Sequence, residues 1–139
     1  MIQPQQVIDQ AREWLGVPFL HQGRSRNGAD CLGFIAALMA ELGSFALIDH
    51  LPRNYGRQPQ RLLPDGLDEL TYQIPLQPGA LCTIQFPNAK FPSHAGIFTG
   101  SSFIHCYEAE KKIVVEHGYR APWPARTKSI WALPLVIYQ

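Results

Sequence analysis

Between Asp30 and Gly43 the chain carries a run with few ways to fold. Leu32, Phe34, Ile35, Leu38, Met39 and Leu42 form an apolar stripe so wide that a helix built from it is apolar nearly all round. Such a helix belongs at the buried centre of a domain. Asp30 is a good N-cap residue and Gly43 a good stop, which sets the expected bounds. Ahead of it, Val7, Ile8, Ala11, Trp14 and Leu15 recur at helical spacing. They predict a helix over Gln5 to Leu15, with Pro4 suited to its first turn and Gly16 to its end. Gly16 to Ala29 reads as loop, with Pro18, Gly23 and Gly28 as breakers.

After Pro78-Gly79 the period changes from helical to alternating. Strands are expected over Ala80 to Phe86, His94 to Thr99, Ser102 to Tyr107 and Ile113 to Glu116, with a last strand over Ile130 to Tyr138. Pro134 inside that last strand favours an edge position or a bulge. Leu51 to Gln77 is the least readable stretch. Pro52, Pro59, Pro64, Gly66 and Pro75 interrupt any long element there, and Leu67 to Tyr72 is its one candidate helix. Helices first and antiparallel strands after is the pattern of an α+β domain, expected to be a single domain over residues 1–139.

The formal net charge is +1 and Lys and Arg are scattered, so nothing in the charge pattern points to nucleic acid. No stretch is long and apolar enough for a membrane span. The N-terminal residues lack the basic and apolar regions of a signal peptide, which implies synthesis in the cytoplasm. Cys31, Cys82 and Cys106 are an odd set with no short-spaced pair, unsuited to a disulfide framework or to a structural zinc site.

Cys31 is the candidate nucleophile. It stands where a glycine-bearing loop, Gly28-Ala29-Asp30, meets the helix. The unpaired N–H groups and partial positive charge of a helix N-terminus favour a thiolate, the form of cysteine that attacks carbonyl carbon. Cys82 and Cys106 lie within strand patterns and read as inert core. The turn Thr99-Gly100-Ser101-Ser102 most simply pairs Thr99 with Ser102, which sets Ile97 opposite Ile104 and Gly96 opposite His105. His94, Gly96 and His105 then share one face, with the two histidines about 7–8 Å apart on a diagonal. Gly96 is expected to leave the space between them clear. A base and a partner that orients it need this placement. His21, His50 and His117 are expected in solvated or hydrogen-bonded roles.

Five segments in order resemble the NlpC family of papain-like cell-wall peptidases. They are Ala11-Arg12-Glu13-Trp14-Leu15-Gly16-Val17-Pro18-Phe19, Gly28-Ala29-Asp30-Cys31-Leu32-Gly33-Phe34, Pro78-Gly79-Ala80-Leu81, Ser93-His94-Ala95-Gly96-Ile97-Phe98-Thr99-Gly100 and Phe103-Ile104-His105. The resemblance implies a papain-like fold with N-terminal helices on a central antiparallel sheet. It implies Cys31 as nucleophile, His94 as general base and His105 as the third polar residue. Family members typically cut the bond between γ-D-glutamyl and a diamino acid in peptidoglycan stem peptides. Gln22-Gly23-Arg24, and Val114 to Gly118 followed by Trp123 and Arg126, are similar to phage-tail members, which implies action at the cell wall and tail proteins as partners.

Two residues depart from the family pattern. Leu32 stands where bacterial members usually carry Ser, which in some relatives helps hold the free amino end of the stem peptide. Phe19 stands where they usually carry Tyr, whose hydroxyl lies near the thiol, and Phe19 cannot donate a hydrogen bond. His21 or Gln22 is the candidate replacement donor beside the Cys31 backbone N–H. Asp30 is expected to act both as helix cap and as part of the substrate site. Thiol–imidazole chemistry calls for no cofactor or metal. Two other readings are an amidase or acyltransferase on another amide or lipid substrate, and a catalytically idle tail-tip structural protein.

Overall fold

The structure, a computed structural model, describes residues 1–51, 62–107 and 113–139, with the main chain alone for residues 62–65. Helix α1, Pro4–Glu13, begins with Pro4 in its first turn and buries Val7, Ile8 and Ala11. Its start is closed by Gln6, whose Oε1 accepts from the Gln3 N–H at 2.8 Å. Helix α2, Cys31–Glu41, buries Cys31 and every residue from Gly33 to Met39. Asp30 caps it, accepting from the Gly33 N–H at 2.7 Å. At its far end Gly43 takes φ +93°, the left-handed conformation that lets the chain leave a helix.

The loop before α2 holds more structure than expected. Strands β1, Arg24–Ser25, and β2, Gly28–Ala29, pair as a small antiparallel hairpin. That hairpin lies directly on α2. A Cβ on Gly33 would sit 1.8 Å from the Gly23 carbonyl oxygen, so the crossing requires glycine. Helix α3, Ala46–His50, was not foreseen. Helix α4, Leu62–Leu70, begins before the expected Leu67. Pro64 does not break it, because the first turn of a helix tolerates a missing N–H. Pro52 and Pro59 lie outside the described residues.

The strands β3, Leu81–Ile84, β4, His94–Phe98, β5, Ser102–Tyr107, β6, Ile113–Gly118, and β7, Thr127–Trp131, form one sheet in the order β6-β5-β4-β3-β7. Every pairing within it is antiparallel. The last strand is a correction to Ile130–Tyr138. A short helix α5, Trp123–Arg126, delivers the chain to β7 earlier, and Leu135 after Pro134 takes φ +70°. The tail instead binds the N-terminus, with Ile2 N–H on the Leu135 carbonyl and Ile137 N–H on that of Ile2.

Helix α2 packs on one face of this sheet. Phe34, Ile35, Leu38 and Met39 are buried there with Leu81, Ala95, Ile97, Ile104, Cys106, Val114 and Trp131. On the opposite face Cys82, Ile84, Phe98, Phe103 and Trp123 make a second cluster. The two sets alternate along each strand, as side chains on a pleated sheet must. This is the α+β arrangement expected from the order of periods.

Candidate active site

The turn that sets the histidine face is the one expected. Thr99 N–H donates to the Ser102 carbonyl at 3.0 Å, and Ile97 pairs with Ile104 and Phe98 with Phe103. The same register brings the two imidazoles together, with Nε2 of His94 2.6 Å from Nδ1 of His105. Gly96 does not leave open space, however. The Phe103 ring fills it, 2.4 Å from where a Cβ on Gly96 would lie.

A third ring joins the row. Nε2 of His105 lies 2.8 Å from Nδ1 of His117 on β6. Phe103 pairs with His117 and His105 with Val115, so His117 is the diagonal neighbour of His105 on the same face. The hydrogen bond fits the role expected of His117, but its place in this row was not foreseen. The expected strand stopped at Glu116, one residue short. Because the ring nitrogens address one another rather than a common point, the three histidines are a hydrogen-bonded row and not a metal cage. No group of three His, Cys, Asp or Glu among the described residues could hold a metal ion.

Aromatic rings enclose the row. Tyr107 stacks on His105 with centroids 5.1 Å apart, and Trp123 stacks on His117 at 5.6 Å. Phe86 and Phe103 stand beside His94 and His105. Phe103, His105 and Tyr107 follow the period of two on β5, so those rings were legible in the sequence. Trp123 arrives from α5, outside the sheet, so no strand alternation places it there.

Cys31 approaches from the α2 side. Its thiol lies 3.9 Å from the Ser93 carbonyl, and the N–H groups of Ala95 and Leu32 favour its anion. The sulfur therefore lies against the main chain on both sides of His94, at the first residue of β4. Nε2 of His94 is engaged with His105, which leaves Nδ1 as the second nitrogen of that ring. The resting thiolate expected from the helix terminus is not what the structure favours. Burial pushes the Cys31 thiol up to about 12, and the neighbouring Asp30 charge adds to this. Burial also holds His94 down to about 3. Near neutral pH Cys31 is therefore a thiol and His94 a neutral imidazole.

Asp30 is buried and does two jobs. One carboxylate oxygen caps α2 at Gly33, and the other accepts from the Gln22 N–H at 3.0 Å. Gln22 takes φ +64°, so this bond holds a strained turn containing His21 and Gln22 in place. Phe19 bridges Ala29 and packs on the helix-side core. Cys106 donates to the Ala29 carbonyl at 3.0 Å, and Cys82 is fully buried in the second cluster. Burial pushes both thiols up to about 12, and both sit within strands rather than at the start of a helix. His50 bonds the Ala46 carbonyl at 3.2 Å, far from this chemistry in role.

Residues 16–132 match the NlpC/P60 family. The chain belongs to that family. It is 33% identical over 98 residues to the probable endopeptidase NlpC of Escherichia coli (strain K12), covering 70% of this chain and 57% of that protein. The chain thus spans little more than half the length of this curated relative. Two solved NlpC/P60 structures share the fold. One, from Bacillus cereus ATCC 10987, has a TM-score of 0.66 at 22% identity and covers 91% of this chain and 39% of its own. The other, the NlpC/p60 domain of the peptidoglycan hydrolase SagA, has a TM-score of 0.64 at 16% identity and covers 94% of this chain and 98% of its own. The papain-like NlpC/P60 architecture is therefore the architecture of this chain.

Proposed function

We propose that this chain is a cysteine peptidase that hydrolyses peptide bonds of peptidoglycan, of the γ-D-glutamyl–diamino acid type. The observation that carries the reading is the placement of the Cys31 sulfur on the main chain flanking His94, while His94 leans on His105. Cys31 Sγ attacks the scissile carbonyl carbon as its proton passes to Nδ1 of His94. The C–N bond breaks as that proton moves to the leaving amine, and a thioester remains on Cys31. Water, deprotonated by His94, then releases the acid and restores the thiol. A neutral resting pair suits this order, because the proton moves with the attack rather than before it.

His105 orients His94, and the Cys31 backbone N–H with a donor from His21 or Gln22 stabilises the developing oxyanion, a contribution usually worth about 10²–10³ in rate. Asp30 fastens the turn that carries His21 and Gln22 to the start of α2. Membership in the NlpC/P60 family and the likeness to a probable endopeptidase support the substrate class. The similarity of Gln22-Gly23-Arg24 and of Val114 to Gly118 to phage-tail members supports a place in a tail particle, acting at the cell wall.

The test is incubation with defined muropeptides beside Cys31→Ala. Wild type is expected to release a tripeptide-type fragment and Cys31→Ala none. No turnover of any wall fragment by wild type would remove the peptidase reading and favour the idle structural one.

A further inference from the structure

The row of three rings has a direction, and its outer end decides which way it runs. A neutral imidazole carries one N–H and one acceptor nitrogen, so each ring-to-ring contact contains a single proton. If His105 holds its proton on Nε2, it accepts at Nδ1. His94 must then donate from Nε2, which leaves a lone pair on its Nδ1, the nitrogen proposed above to take the Cys31 proton. If His105 holds its proton on Nδ1, His94 must accept at Nε2 and carry its own proton on Nδ1. In that form it cannot take a proton from a thiol.

His105 is fully buried and both of its nitrogens are engaged, so solvent cannot choose between these states. His117 is the only ring of the row that is not buried. Its orientation is held by Trp123, stacked at 15° to it, and by the edge contact with Tyr107.

We propose that His117 is a positioning residue: by offering Nδ1 as an acceptor it holds all three rings as Nε2–H tautomers and so keeps His94 a base toward Cys31. The inference rests on the roles proposed for Cys31 and His94, but its test uses no wall fragment. Long-range proton–nitrogen NMR of histidine-labelled protein reads each tautomer directly. Wild type is expected to show Nε2–H on His94, His105 and His117 near neutral pH.

Two variants are compared by the rate at which iodoacetamide modifies the Cys31 peptide, located by mass spectrometry. His117→Leu leaves the buried His105 N–H without an acceptor, which favours the reversed row. Alkylation of Cys31 is expected to slow about 10²-fold, the low end of what a positioned base contributes. His117→Asn, whose side-chain oxygen can accept, is expected to keep the wild-type tautomers and a near wild-type rate.

An Nδ1–H signal on His94 or His105 in wild type overturns the proposal, whether or not either variant folds. So does a folded His117→Leu that keeps wild-type tautomers and alkylation rate. His94→Ala separates the two readings. Unchanged alkylation there removes the thiol–imidazole pairing itself, whereas slowed alkylation there with a fast His117→Leu removes only the part assigned to His117.

Discussion

Asp30 joins three features through one carboxylate. It caps α2, fastens the turn at Gln22, and places a negative charge beside the Cys31 thiol. Asp30→Ala leaves two backbone N–H groups without their partner, and is expected to cost about 2–3 kcal/mol of stability in a urea melt. Asp30→Asn keeps an oxygen for Gly33 and removes the charge. It is expected to cost less than Asp30→Ala and to make Cys31 alkylate faster at mildly alkaline pH, since the charge holds the thiol protonated. Equal stability losses for the two variants would show that the cap is not what Asp30 contributes. The cap was legible because Asp precedes an apolar run. The second bond was not, because it depends on a turn with a left-handed Gln22.

At the level of elements, the histidine row depends on how closely β4 approaches β5. A Cβ on Gly96 would lie 2.4 Å from the Phe103 ring and 2.7 Å from the Ile104 carbonyl oxygen. The ring can shift, but the main-chain oxygen cannot do so without moving the strand. Gly96→Ala is expected to cost about 1–3 kcal/mol as overpacking and to lower turnover by separating His94 from His105. Thermal melts and kcat on a muropeptide check both parts, and a variant with wild-type turnover would show that strand spacing does not set the histidine contact. The β4–β5 hairpin was legible because a short turn and strict alternation specify register. Strand β7 was misplaced because an apolar run with Pro134 looks the same whether it joins a sheet or crosses to Ile2.

For the molecule as a whole, burial of the site determines how stability responds to pH. His94 is held down from its ordinary 6.5 to about 3, and His105 is lowered too, both chiefly by burial. Between those values the unfolded chain binds protons that the folded one does not, so stability falls as pH drops below about 6.5. Glu41, lowered from 4.5 to about 2 chiefly by its hydrogen bond from Arg26, extends that loss further into acid. Cys31, Cys82 and Cys106 are raised from 9.0 to about 12, so the folded chain holds extra protons there and stability also falls as pH rises above about 9. Urea melts at about pH 5, 7.5 and 10 are expected to give the highest stability at the middle value. A stability that stays level from pH 7.5 to 5 would mean the imidazoles are not kept from water.

The order of helical and alternating periods, the Asp30 cap and the short Thr99–Ser102 turn are local, so the sequence alone determined the α+β class, the place of Cys31 at a helix start, and the shared face of His94 and His105. Only the tertiary structure decided that β6 brings His117 to the end of the row and that aromatic rings close over it. It also decided that burial outweighs the helix terminus in setting the charge of Cys31. Those outcomes depend on which distant segments pack together, and the spacing within one segment does not record what another lays over it.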